Sequence, residues 1–221
     1  MTQTAIVIMA KVPSPGQVKT RLCPPLSPGQ AAGLYRAFLC DKITQVRTLT
    51  TARPAIAYTP ASGEDFFADV APDFTLMAQQ GADLGERLVH CLGSFLTMGY
   101  TGVLVIDSDT PTLPTSFLQQ AIELIASPDV DIVLGPSADG GYYLIGMRAL
   151  HRELFADMPW STSAVLPETV RRAEARGLKV AWLPSWFDVD TPEDLQRLRA
   201  ALAQTEGVEP QQTRQFFLER A

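Results

Sequence analysis

Val103-Leu104-Val105-Ile106-Asp107-Ser108-Asp109 is the stretch that decides how this chain is read. Four apolar residues, mostly β-branched, end abruptly in two carboxylates one residue apart. Such a run, bounded by polar turn residues, predicts a buried strand of a mainly parallel sheet. Sheets of that kind bind ligands outside the carboxyl ends of their strands. Asp107 and Asp109 would then stand where a divalent cation and a phosphate could meet. The same residues also suit an ordinary turn, because Asp, Ser, Thr and Pro all favour turns. A D-x-D triplet is short, and the stretch alone leaves both readings open.

Outward from it, short apolar runs alternate with helical patterns, which predicts an α/β fold. Ala5 to Met9 reads as a first, central strand. Further strands are expected at Ala55–Thr59, Phe74–Ala78, Asp131–Leu134, Tyr142–Gly146 and Lys179–Leu183. Ser27 and Pro28 open a helix running to about Leu49, with Tyr35, Leu39, Ile43 and Val46 on its buried face. Gly63–Val70 is expected as a short helix, and Asp83 with Glu86 reads as a capping box for a helix to about Met98, ahead of a second reading in which the turn's backbone or Arg87 faces a ligand. Thr110–Pro114 leads into a helix ending near Ala126. Residues 159–163 cap another, through about Arg176. Trp182 and Trp186 are expected in the core. With no repeat and no low-complexity segment, residues 1–221 are expected to form one domain. Its core spans about 5–204, and 205–221 is a tail or short helix that docks through Phe216-Phe217-Leu218.

Three further features fall at strand ends. The loop from Ala10 to Pro28 carries Pro13, Pro15, Gly16, Pro24, Pro25 and Pro28, which exclude regular structure across most of it. It also carries Lys11, Lys19, Thr20 and Arg21. Cations and a hydroxyl clustered there favour an anion cradle over a plain solvated loop. Asp139-Gly140-Gly141 suits a hairpin turn, and it also lets backbone approach a substrate with Asp139 facing it. Thr191-Pro192-Glu193-Asp194 is accounted for as a helix start. Asp188 and Asp190, just before it, are a second carboxylate pair that capping does not explain.

Composition sets outer limits. Apolar content of 46% and charged content of 19% are ordinary for a soluble globular protein. A net charge of −6 argues against nonspecific nucleic-acid binding, though not against a phosphorylated small molecule. Cys23, Cys40 and Cys91 are an odd, scattered set that suits a reducing compartment. No run approaches the roughly 20 apolar residues of a membrane helix, and the first residues do not read as a signal peptide. A cytoplasmic protein is expected. His90 and His151 lack partners at ligand spacing, which removes Ser-His-Asp hydrolysis and His-rich zinc sites.

Chemically, carboxylates at strand ends suit a hard cation such as Mg²⁺ or Mn²⁺. Such an ion bridges the phosphates of an activated nucleotide, and loop cations stabilise the same charge. Attack could fall on a sugar carbon or on the α-phosphorus.

The segments Met9–Leu22, Gln80–Leu88, Ile106–Pro114, Asp139–Gly146, Pro159–Thr162 and Asp188–Leu195 resemble, in order, the motifs of a family of small bacterial GT-A-type glycosyltransferase-like proteins, some associated with arsenosugar biosynthesis or radical-SAM gene clusters. The resemblance implies a nucleotide-diphospho-sugar transferase fold, Rossmann-like, with a mainly parallel mixed sheet flanked by helices. It implies that Asp107 and Asp109 bind metal and nucleotide-sugar. The chain is more distantly similar to nucleotidyltransferases such as 2-phospho-L-lactate guanylyltransferase and the molybdenum cofactor cytidylyltransferase. Lys19-Thr20-Arg21-Leu22 and Asp188–Leu195 carry that similarity. In that group a later aspartate joins the metal site, which adds Asp188 and Asp190. Those enzymes open with a glycine-rich loop that wraps a triphosphate, whereas this loop has Gly16, Pro13 and Pro15. The departure favours glycosyl over nucleotidyl transfer.

The expected activity is therefore metal-dependent transfer of a sugar from a nucleoside diphosphate donor to a small-molecule acceptor. Lys11, Lys19, Thr20, Arg21 and Asp107 are expected at the nucleotide and its phosphates. The metal is expected at Asp107, Asp109, Asp188 and Asp190, with Mg²⁺ or Mn²⁺ as the ion. Asp139, Lys19 and Arg21 are expected in catalysis. A nucleotidyltransferase acting on a phosphorylated small molecule, and a non-catalytic nucleotide-binding protein of the same fold, are the alternatives. Oligomeric state is silent in the sequence.

Overall fold

The computed structural model describes residues 3–204 and 210–219. Seven strands form one sheet: β1 (Thr4–Lys11), β2 (Ala52–Thr59), β3 (Thr75–Ala78), β4 (Gly102–Ile106), β5 (Ile132–Pro136), β6 (Tyr142–Met147) and β7 (Val180–Trp182). Their order is β3-β2-β1-β4-β6-β5-β7. β6 runs antiparallel to β4 and β5, and the other pairings are parallel. From β1 the chain passes to β2 on one side, while β4 lies on the other. This reversal places the ligand crevice at the carboxyl ends of β1 and β4.

The helices are α1 (Pro28–Arg47), α2 (Glu64–Val70), α3 (Leu84–Thr97), α4 (Thr115–Ala126), α5 (Val165–Glu174), α6 (Pro192–Gln204) and α7 (Gln211–Leu218). Alternation along β1 and β4 sorts the two faces of the sheet. Ile6, Ile8, Leu104 and Ile106 pack against Leu39 and Ile43 of α1 and Leu118 and Ile122 of α4. Ala5, Val7, Val103 and Val105 pack against Leu88, Leu92 and Phe95 of α3. Both faces are covered, so β4 is apolar and buried at every position, the pattern of a central strand. Tyr35, Leu39, Ile43 and Val46 are buried as the periodicity of α1 predicts.

Several boundaries differ from the sequence expectation for identifiable reasons. β2 begins at Ala52 rather than Ala55. Pro54 is tolerated because β3 pairs with β2 only from Ala55 onward, so the proline stands where β2 is locally an edge. The helix expected after residues 159–163 starts at Val165, without a side-chain cap. Thr162 closes a turn of its own, donating to Pro159 O at 2.7 Å. Trp182 is 47% exposed rather than buried, because it stands on a three-residue strand with a single neighbour in the sheet. The expected tail falls partly on residues 205–209, outside the described residues. Beyond them α7 docks on α1, where the Asp41 carboxylate accepts from Gln212 N and Thr213 N, both at 2.8 Å.

Gly135 tests the packing beneath the site. A Cβ there would lie 2.5 Å from the Tyr143 ring, whose hydroxyl donates to Pro184 O at 2.9 Å. Gly135→Ala is expected to cost about 1–3 kcal/mol by overpacking. Thermal denaturation would read this as a lowered midpoint, and an unchanged midpoint would contradict the packing.

Candidate functional site

Three loops at the carboxyl edge of the sheet converge. The first follows β1, the second follows β4, and the third lies between β7 and α6. Backbone and side-chain bonds weld them. Val189 N donates to Asp109 O at 3.0 Å, joining the second and third loops. A relay joins the first and second: Lys11 N donates to Tyr35 Oη at 2.9 Å, Tyr35 Oη pairs with Ser108 Oγ at 2.9 Å, and Ser108 Oγ donates to Met9 O at 3.1 Å. Tyr35 is thus a buried post on α1 that fixes both strand ends.

Lys19 lies at the centre. Its side chain is only 4% exposed, and Nζ is 2.8 Å from Asp109 Oδ1 and 2.7 Å from Asp190 Oδ1. Its backbone is left-handed, with φ 49°, a region few side-chain-bearing residues adopt. Arg21, largely exposed, reaches Asp190 Oδ2 at 3.6 Å. Asp107 is held differently. Thr110 Oγ1 donates to Asp107 Oδ1 at 2.7 Å, and behind Thr110 lies the fully buried Lys42 of α1. Lys42 Nζ donates to Gln45 Oε1 at 3.1 Å, Thr110 O at 3.0 Å and Thr110 Oγ1 at 3.1 Å. Three acceptors around one nitrogen suit the charged ammonium.

A cavity of about 510 Å³ opens over these groups. Lys11, Lys19, Thr20, Arg21, Asp107, Asp109 and Asp190 all line it, so residues singled out from three separate motifs share one wall. Asp188 and Asp139 line an adjoining cavity of about 220 Å³, which shares Arg21 and Asp190 with the first. Asp188 Oδ1 accepts from Ser137 Oγ at 2.9 Å, and the exposed Asp139 accepts from Gly141 N at 2.9 Å within its own turn. Asp83 caps α3 through Glu86 N at 2.8 Å, while Arg87 reaches the larger cavity. A further cavity, about 590 Å³, lies beyond the Pro111–Thr115 loop. Asp41 is the carboxylate in its lining, and it is already engaged with α7.

Residues 42–162 match the family model described as "Uncharacterized protein conserved in bacteria (DUF2064)". The chain belongs to this family. A solved structure from Desulfovibrio desulfuricans G20, provisionally assigned as a nucleotide-diphospho-sugar transferase, is 33% identical with a TM-score of 0.91, covering 100% of this chain and 96% of that one. The 2-phospho-L-lactate guanylyltransferase of Methanothermobacter thermautotrophicus is 25% identical over 189 residues, 80% of this chain and 76% of the relative. A cytidylyltransferase from Leptospira borgpetersenii shares the fold, with a TM-score of 0.59 at 14% identity over 100% of this chain and 95% of that one. The fold is therefore that of the nucleotide-diphospho-sugar transferases.

In this DUF2064 chain the site is electrostatically polarised. Burial alone would lower the Lys19 ammonium, but the flanking Asp109 and Asp190 carboxylates outweigh it and hold Lys19 well above its usual range. Asp190 is held below the usual carboxylate value, because Lys19 and Arg21 overcome the opposing effect of burial. Burial, reinforced by the charge of Asp139, raises Asp188. Burial likewise raises Asp107 against the pull of Lys42, and it pushes the Tyr35 phenol up to about 12.

Among the described residues, no three or more His, Cys, Asp or Glu side chains converge in metal-ligating geometry. Asp109 Oδ1 is nonetheless buried without an aligned hydrogen bond, its close contact being the Lys19 charge. Mg²⁺ commonly takes one or two carboxylates and completes its shell with waters and substrate phosphates. Asp109 and Asp190 fit that mode, whereas an all-protein cage does not. Lys42, Tyr35 and Ser137 were not singled out as site residues. Tyr35 is expected only as part of the buried face of α1, and Lys42 stands as a charge set among that helix's apolar positions.

The lowered Asp190 value fixes a pH dependence. A carboxylate depressed in the folded state adds stability above its unfolded value, near 3.8, and loses it as pH falls through the folded one. Comparing wild type with Asp190→Asn, the gap in thermal midpoint should be widest near neutral pH and shrink below about pH 3.5. A gap constant from pH 7 to pH 2.5 would contradict the ion pair.

Proposed function

We propose that this chain is a divalent-metal-dependent transferase that moves a sugar from a nucleoside diphosphate donor to a small-molecule acceptor. The observation that carries the reading is the meeting of Lys19, Asp109 and Asp190 within 2.8 Å on the wall of the 510 Å³ cavity. Lys11, Lys19 and Arg21 would hold the diphosphate, with Thr20 adding a hydroxyl. Asp107, fixed from behind by Thr110, would accept from a ribose or sugar hydroxyl. Mg²⁺ or Mn²⁺ held by Asp109 and Asp190 would neutralise charge on the departing diphosphate. Asp188 lines the adjoining cavity, where it accepts from Ser137 Oγ.

The acceptor would enter beside Asp139. Its hydroxyl oxygen bonds to the anomeric carbon as the bond from that carbon to the diphosphate oxygen breaks. The nucleoside diphosphate leaves, and the hydroxyl proton passes to the Asp139 carboxylate. Net charge of −6 keeps nucleic acid an unsuitable partner. Among the described residues no helix is long and apolar enough to cross a membrane, and the three cysteines are unpaired, as suits a reducing cytoplasm.

Nucleotidyl transfer to a phosphorylated small molecule is the second reading, favoured by the 25% identity with a guanylyltransferase over 189 residues. Attack on the α-phosphorus would then release pyrophosphate. Against it, the β1 loop turns amides inward, Ser14 N to Val12 O at 2.8 Å and Gln17 N to Ser14 O at 3.0 Å. That leaves less backbone to wrap a triphosphate.

The products separate the readings. With Mn²⁺ or Mg²⁺, a panel of nucleotide sugars should yield nucleoside diphosphate, and nucleoside triphosphates should yield no pyrophosphate. Asp109→Ala should lower turnover by about 100-fold or more. Pyrophosphate release would instead establish nucleotidyl transfer. Nucleotide binding without turnover under either metal would leave a non-catalytic binding protein. Absence of any nucleotide binding would end all three readings.

A further inference from the structure

We propose that Lys19 is a tethered competitor for the divalent ion, its ammonium holding the ion's place between Asp109 and Asp190 until the nucleotide's phosphates draw it away. The inference rests on the transferase reading and deepens it.

Two oxygens from different loops meet on one nitrogen, Asp109 Oδ1 at 2.8 Å and Asp190 Oδ1 at 2.7 Å. Mg²⁺ binds carboxylate oxygens at about 2.0–2.1 Å. The same pair of oxygens would therefore close on an ion by well under 1 Å each, without rearranging either loop. The ammonium and the ion cannot share that position. The left-handed backbone at Lys19, φ 49° and ψ 36°, aims the side chain inward, a conformation that persists only when surrounding structure enforces it. One ammonium spans the two carboxylates, and the exposed Arg21 adds a longer pair to Asp190 Oδ2 at 3.6 Å. A divalent ion would supply both carboxylates with the second charge that a single ammonium lacks, and phosphates arriving beside Lys11 would give the released ammonium a new partner. Metal and nucleotide then favour one another's binding by equal factors.

The test is Mn²⁺ binding, followed by electron paramagnetic resonance, to wild type, Lys19→Met and Lys19→Gln. The glutamine amide keeps N–H donors for both carboxylates if the methionine variant folds poorly. Without nucleotide, each variant should bind Mn²⁺ about tenfold tighter than wild type or better, and adding Asp109→Asn to Lys19→Gln should abolish the gain. Mn²⁺ should also raise the thermal midpoint of the variants more than that of wild type. If the variants bind Mn²⁺ no more tightly than wild type, while wild type binds it with a mixture of GDP, UDP, CDP and ADP present, the competitor role is overturned and the transferase reading survives. If no protein binds Mn²⁺ with or without those nucleotides, both fall.

Discussion

Two buried ammonium groups hold the acidic strand ends of this protein in one place. Lys19 reaches in from the β1 loop to Asp109 and Asp190. Lys42 reaches up from α1, through Thr110, to Asp107. Without them, carboxylates from two loops would crowd one edge of the sheet and repel. Taking a charge out of water costs several kcal/mol even after relaxation, and removing one partner of a buried pair costs about 3–5 kcal/mol. The cations are therefore a condition for assembling the site. The uncharged relay through Tyr35 and Ser108 then fixes where the loops stand.

Much of this could be read from the residues. An apolar run ending in Asp107-Ser108-Asp109 predicts a buried strand that delivers two carboxylates to the carboxyl edge of the sheet, and β4 is that strand. The cations of the first loop and the carboxylates at 188 and 190 were also legible, because strand ends in an α/β fold share one edge. Their pairing was not legible. The sequence suggested separate tasks, Lys19 for phosphate and Asp109 and Asp190 for metal. Only the fold brings the three into contact, since loops distant in sequence meet through strand order. Lys42 was hidden for the same reason. It reads as a stray charge on an apolar helix face until Thr110 is seen above it. Trp182 misled in the opposite direction, because its exposure follows from the edge position of β7 rather than from its own chemistry.

The family match supplies context of a particular kind. It spans residues 42–162, which include β4, Lys42 and the Asp139 turn but neither Lys19 nor Asp190. The solved structure at 33% identity covers the whole chain. The fold is therefore shared with the solved structure, while the chemistry must come from the site. In the first loop Ser14 N and Gln17 N donate to Val12 O and Ser14 O, and a single glycine follows its first two prolines.

The central claim is that the oxygens now shared by Lys19 are the ion and phosphate anchor of a nucleotide site. A crystal of the protein soaked with Mn²⁺ and nucleotide, with anomalous scattering collected at the manganese edge, tests it most directly. The expected result is a manganese peak between Asp109 and Asp190, with Lys19 Nζ moved onto a phosphate oxygen. Manganese elsewhere, or a nucleotide bound with Lys19 still between the two carboxylates, would contradict it.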